Sequence, residues 1–211
     1  MVRVRKVALM GFPAVGKSSL AYQYVENRFE DEYITTIENQ LEKDIKIGDR
    51  DFRLQIYDTM GVTELPNFPD DYLIMDGWII VYSVAESRSF DVVREIYERL
   101  MAAGAQGCVK AKFCLACHLR SCAGRPSPAH HPPFSTRSPP VIIVANKCDL
   151  VEDRVISMAE GKALAEKCGA LYVESSARDN TGVTEVFHRM ITEIERRNGD
   201  PIKAEKDCII L

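Results

Sequence analysis

The stretch Val7–Ser18, VALMGFPAVGKS, limits what this chain can fold into more than any other. An apolar run, Val7 to Met10, ends in Gly11, and Gly16-Lys17-Ser18 closes the pattern G-x-x-x-x-G-K-S. This is the pattern of a P-loop. Its first glycine turns the chain sharply out of a strand, and its second lets backbone N–H groups approach phosphate oxygens with no side chain in the way. The lysine neutralises the β- and γ-phosphates and the serine hydroxyl takes a place on magnesium. Ser18 to Val25 is free of Gly and Pro and reads as the helix whose N-terminus receives the anion. A Gly-rich strand-to-helix turn can match these eight positions by chance, so other parts of the chain must supply the base and the outcome.

A chain of 211 residues, 46% hydrophobic and 27% charged, is expected to form one globular domain with an ample core. The net charge of −4 argues against a large nucleic-acid-binding surface, and no run approaches the roughly 18 apolar residues of a membrane span. MVRVRKVALMG leads straight into the P-loop strand without a long apolar core or a small-residue cleavage site, so a cytosolic chain is expected. The 7 cysteines are odd in number and are expected to be free thiols in a reducing compartment.

After the first helix, Asn27 to Asn39 has no steady period and reads as a loop carrying Phe29, Tyr33, Thr35 and Thr36. Gln40–Ile47 and Asp51–Tyr57 are candidate strands joined by a turn at Gly48-Asp49-Arg50, and the second delivers Asp58-Thr59-Met60-Gly61. A carboxylate leaving a strand beside a P-loop can hold magnesium through water, and the glycine N–H can meet a γ-phosphate. Trp78–Val84 and Val141–Ala145 are continuous apolar runs, as in strands buried on both faces. Phe90–Met101, Ser157–Cys168 and Thr184–Arg197 carry helical spacing, and Leu171–Glu174 is a short strand before Ser175-Ser176-Ala177. The alternation predicts an α/β sheet with ligand loops at the carboxyl ends of its strands.

Asn146-Lys147-Cys148-Asp149 has a definite chemical use. The Asp149 carboxylate can accept two hydrogen bonds from N1 and the exocyclic N2 of guanine, which adenine does not offer in that pattern. Such a site rejects bases lacking those donors by several powers of ten. Asn146 would brace the loop and the base, the Lys147 stem would cover one ring face, and Phe29 is a candidate for stacking on the purine.

Gly11–Ser18, Thr36, Asp58–Gly61, Asn146–Asp149 and Ser175–Ala177, in this order, resemble the nucleotide motifs of Ras-superfamily small GTPases. Thr36-Ile37-Glu38-Asn39, Phe68-Pro69 with Tyr72, Tyr82-Ser83-Val84 with Ser89-Phe90, and Arg154–Ser157 with Glu160–Glu166 resemble the Rheb branch. The resemblance implies a P-loop small G-domain over residues 1–198, with a mostly parallel six-stranded sheet, one antiparallel strand and helices on both faces. It implies a monomeric GTP/GDP switch that activates the TOR kinase complex when GTP-bound and is turned off by a tuberin-type GTPase-activating protein. Under it, Lys17 and the backbone of Ala14, Val15, Gly16, Ser18 and Ser19 hold the phosphates, with Tyr33 lining the nucleotide site. Ser18 and Thr36 ligate Mg2+ and Asp58 does so through water, while Ser176 and Ala177 meet the guanine O6 side. Lys17, Thr36 and Gly61 are the expected catalytic positions. A GTP-binding module that does not hydrolyse, and a Ras-family switch not acting on TOR, are the alternatives.

Two departures stand out. Val62 replaces the glutamine that often orients the attacking water, Met60 replaces a small residue and Pro13 removes a backbone donor, so intrinsic hydrolysis is expected to be slow. The resembled branch is noted for depending little on that glutamine, so hydrolysis completed by an activating protein stays open. Gly104–Pro140 holds six of the 10 prolines and three of the 4 histidines and has no acidic residue. Its composition predicts a disordered insert, with a metal site at Cys114, Cys117, Cys122 and His130 or His131, or a partner-binding loop, as the alternatives. A flexible tail, 199–211, ends in Cys208-Ile209-Ile210-Leu211, a C-a-a-X box whose terminal Leu favours geranylgeranyl. One lipid with neither a polybasic patch nor a second cysteine predicts reversible attachment to the cytoplasmic face of internal membranes (lysosome, Golgi, endoplasmic reticulum), in exchange with the cytosol.

Overall fold

The apolar run Val7–Met10 extends into a strand longer than itself, β1 (Arg3–Gly11), because its charged start is paired in space rather than in sequence. The computed structural model describes residues 2–31, 38–61, 72, 74–117 and 138–202, with only the backbone described for 103–117. Tyr33, Thr36, Val62 and Cys208 therefore lie outside the described residues, as do 118–137 of the insert. The elements run β1, α1 (Lys17–Glu26), β2 (Glu38–Ile47), β3 (Arg50–Thr59), β4 (Gly77–Ser83), α2 (Ser87–Cys117), β5 (Val141–Asn146), α3 (Met158–Lys167), β6 (Leu171–Glu174) and α4 (Val183–Arg197). They form one six-stranded sheet in the order β2-β3-β1-β4-β5-β6. Only β2 and β3 pair antiparallel, across a turn where Gly48 takes φ 59° and Ile47 faces Arg50. The expected α/β architecture is thus observed.

Period-two alternation divides the core between the faces of the sheet. Val7 and Leu9 of β1 point to one side, where Leu20, Ala21 and Tyr24 of α1 meet Val186, Phe187, Met190, Ile191 and Ile194 of α4. Ala8 and Met10 point to the other, where α2 supplies Val92, Val93, Ile96 and Leu100 and α3 supplies Ala165. Tyr24 stacks on Phe187 with ring centroids 4.2 Å apart. The α3 start is a capping box in which Ser157 and Glu160 satisfy each other's backbone N–H.

The structure departs from the expected elements chiefly in α2, which ends at Cys117 rather than Met101. Its added turns run through Ala102, Ala103, Ala105, Lys110, Ala111 and Lys112, good helix formers, and the first proline after them is Pro126. The opening third of the segment expected to be disordered is therefore helical in its backbone.

At the amino ends of the strands, remote from the P-loop, Glu195 of α4 is fully buried. It accepts from Arg5 Nε at 2.7 Å, pairs with Arg3, and lies 3.6 Å from Arg50 Nη1. Asp200 accepts from Arg3 and Arg50 at 2.7 Å, and these partners hold its carboxyl below the usual range. Removing one partner of a buried charge cluster is strongly destabilising, but the three arginines can reach water, which places the loss at the lower end of that range. Glu195→Ala is expected to lose about 3 kcal/mol of unfolding free energy, read from urea denaturation.

Candidate functional site

The loop closing β1 turns at two glycines that admit no side chain. Gly11 takes φ 146°, and a Cβ there would lie 2.1 Å from the Val81 carbonyl oxygen; Gly16 takes φ 91°, and a Cβ there would lie 2.4 Å from Asn146 Nδ2. Ala14 also adopts a positive φ of 58°. These turns open the first turn of α1 to a ligand, since Gly16 caps the helix without a side-chain hydrogen bond.

Lys17 is almost wholly buried, and its Nζ donates to the Phe12 carbonyl at 3.0 Å and the Gly11 carbonyl at 3.4 Å. Burial pushes its pKa down to about 8, against the pull of Asp58. Asp58, completely buried at the end of β3, receives no hydrogen bond of ordinary geometry at either carboxylate oxygen. Burial raises its pKa, while the Ser18 hydroxyl and the Lys17 ammonium lower it. A buried carboxylate in this state fits a divalent cation or its bound waters, with the Ser18 hydroxyl beside it. Gly61 follows two residues after β3 and packs on the P-loop: a Cβ there would lie 2.5 Å from Pro13 Cα. The glycine of D-x-x-G is thus required by close approach, and Pro13 is what it approaches.

Across the sheet, Asn146 at the end of β5 is buried and serves as a bracket. Its Nδ2 donates to the Val15 carbonyl at 2.9 Å, and its Oδ1 accepts from Ser175 Oγ at 3.1 Å. Asn146 thus ties the loop after β6 to the P-loop. Lys147 takes φ 65°, and Cys148 N–H donates to the Ser175 carbonyl at 3.1 Å, which turns residues 147–149 toward the loop after β6. Ser176 Oγ donates to Asp149 Oδ1 at 2.7 Å, fixing that partly exposed carboxylate, and Ala177 follows it buried. Phe29 is partly buried just beyond α1. Ser175 was not singled out on its own from the sequence; its adjacency to Ser176 was the available signal, but its partner lies 29 residues away.

The structure therefore gathers Gly11–Ser18, Asp58, Gly61, Asn146–Asp149 and Ser175–Ala177 at the carboxyl edge of β1, β3, β5 and β6. One part can seat polyanionic phosphates, a buried carboxylate beside a serine hydroxyl can complete a cation shell, and an oriented carboxylate can read two donors of a base. Lys17 yields a pH prediction. In the ligand-free chain its folded pKa, about 8, lies below its ordinary 10.5, so between those values the unfolded chain binds more protons and stability rises with pH. A phosphate group restores the charge. Binding of GDP at pH 8.5 is expected to take up about three-quarters of a proton, read by calorimetry in buffers of different ionisation enthalpy; equal observed heats in all of those buffers would contradict it.

The sequence profile of the Ras family matches residues 6–116 and 130–196. The GTP-binding protein Rheb of Homo sapiens is 36% identical over 208 residues, covering 98% of this chain and 97% of the relative. The Rheb homolog of Drosophila melanogaster is 34% identical over 207 residues, covering 98% and 97%. The GTPase RhebL1 of Mus musculus is 35% identical over 212 residues, covering 100% and 99%. The unmatched residues of the family profile inside the domain, 117–129, begin where α2 ends.

Proposed function

The chain belongs to the Ras family of small GTPases as a Rheb-like member, and from that premise we propose that it is a GTP-retaining switch that activates the TOR kinase complex when loaded with GTP. Small GTPases of this family bind guanine nucleotides, hydrolyse GTP and work with regulators and effectors. The observation that carries the nucleotide reading is the single bracket, Asn146, which joins the P-loop to the base loop.

In this reading Lys17 and the backbone of Ala14 to Ser19 bind the phosphates, and Asp149 accepts from guanine N1 and N2, with Ser176 and Ala177 at O6. The Lys147 stem covers one ring face, Phe29 stacks on the purine, and Tyr33 is a further nucleotide-binding position. Ser18 and Thr36 would hold Mg2+, with Asp58 holding it through water, and the ion would supply charge neutralisation at the phosphates. Thr36 reaches its place only while the γ-phosphate holds a segment of roughly residues 31 to 40, which makes that segment the switch.

Slow hydrolysis follows from residue chemistry. The Val62 side chain can neither donate to nor accept from an attacking water, and no side-chain amide lies within four residues of it in sequence. Pro13, lacking an N–H and packed on Gly61, offers no donor in its place. A tuberin-type activating protein supplies the missing group. Prenylation of Cys208 places the switch reversibly on the cytoplasmic face of lysosomal, Golgi and endoplasmic reticulum membranes. The domain occupies 1–198, with 199–211 as a tail. The test is a purified TOR kinase complex assayed with the chain loaded with GTP or GDP. Stimulation by the GTP form alone is expected, and equal activity with both forms would turn the proposal toward a Ras-family switch with another effector.

A further inference from the structure

Two side-chain ties join the segment after α1 to the loop after β6. Asn180 Nδ2 donates to Asn27 Oδ1 at 3.1 Å, and the Arg178 guanidinium meets Asp31 Oδ1 at 3.2 Å. They flank Phe29 in the sequence. The first tie continues inward, because the same Asn27 oxygen accepts from Gln23 Nε2 at 3.1 Å, and Gln23 is buried in α1. On the other side the loop is closed on itself by paired hydrogen bonds between Ser176 and Thr181, while Ser176 Oγ receives the Asp179 N–H and donates to Asp149. A continuous polar line thus runs from the helix that begins at the P-loop, through Asn27 and Asn180, to Asp149.

Both asparagines are held in the left-handed region, Asn27 at φ 53° and Asn180 at φ 56°. That conformation is unfavourable for most side chains and tolerated by Asn, whose amide is then free to bond outward. Two unrelated turns have each placed an amide at such a position, and the two amides meet.

We propose that these ties form a latch across the mouth of the guanine site, and that nucleotide leaves only after Asn27–Asn180 and Asp31–Arg178 have parted. The latch deepens the guanine-nucleotide reading above and rests on it. Asp31 stands five residues before Thr36 in the sequence, so the outer tie adjoins the proposed switch. The outer tie is an exposed ion pair and is salt-sensitive; the inner one is a neutral amide pair and is not.

The test is the release rate of fluorescently labelled GDP from the full chain after addition of excess unlabelled GDP. Glycine keeps a positive φ while removing the amide, so Asn180→Gly and Asn27→Gly are the informative changes. Each is expected to speed release roughly fivefold, with the double variant no faster than the quicker single one. Asp31→Asn is expected to speed release on the order of twofold at low salt and not at all in 1 M salt, and Asp31→Glu to restore the original rate. Association rates and melting temperatures of the GDP-bound variants, read alongside, are expected to change little. Unchanged release rates, or effects of the two asparagines that multiply in the double variant, overturn the latch while leaving the nucleotide site standing. A parent chain that retains GDP no better than ADP overturns both.

Discussion

Asp149→Asn is expected to lower affinity for GDP on the order of a thousandfold and to raise affinity for xanthosine diphosphate above that for GDP. The carboxylate accepts from guanine N1 and N2, two charge-assisted bonds that a neutral amide cannot both supply, since its nitrogen would face the N2 donor. Xanthine carries a carbonyl where guanine has its amino group, and the Asn amide can donate to it. The substitution keeps an oxygen for the Ser176 hydroxyl, which donates to Asp149 Oδ1 at 2.7 Å, so the loop is expected to keep its form. Melting temperature within a degree or two of the parent, together with inverted base preference in equilibrium titration, is the outcome that identifies Asp149 as the base reader. Equal losses for both nucleotides would mean that the loop had collapsed.

Gly16→Ala is the second large effect. The new Cβ would occupy φ 91° and lie 2.4 Å from Asn146 Nδ2. The backbone strain costs roughly 1–2 kcal/mol. Displacing Asn146 also leaves the Val15 carbonyl and Ser175 hydroxyl without the partner they have at 2.9 and 3.1 Å, a further penalty of about 1–3 kcal/mol. Together these predict about a hundredfold loss of GDP affinity and a lowered melting temperature. Gly169→Ala separates the two causes, since Gly169 has φ 59° but nothing within 4 Å of the added Cβ. It is expected to lose stability and keep its affinity.

The parts of this site that could be read from the sequence are those whose chemistry is set by short spacings. G-x-x-x-x-G-K-S, Asp58 with Gly61, and Asn146 to Asp149 each place their groups within one turn of chain, and the fold puts the described ones together as expected. Contacts that depend on distant pairs had no local trace. Asn146 meets the Val15 carbonyl across 131 positions, and Asn180 meets Asn27 across 153. Glu195 interrupts nothing in the α4 spacing, yet it collects arginines from β1 and β3 that make the strand start seven residues before its apolar pattern would close. The extension of α2 to Cys117 was legible in the Ala and Lys content of 102–112, but the prolines beyond 125 weighed against the whole segment. In each case propensity decided locally and tertiary pairing decided the rest.

Slow intrinsic hydrolysis rescued by a partner is the central claim, because it separates a switch from a permanently loaded module. Single-turnover hydrolysis of γ-labelled GTP, preloaded on the full chain with Mg2+, tests it directly, with and without a tuberin-type activating protein. The expected result is slow loss of the label from the chain alone, faster loss after Val62→Gln, and acceleration of the parent by the activating protein by at least about two orders of magnitude. Rapid unaided hydrolysis by the parent, or none with the activating protein present, would contradict it.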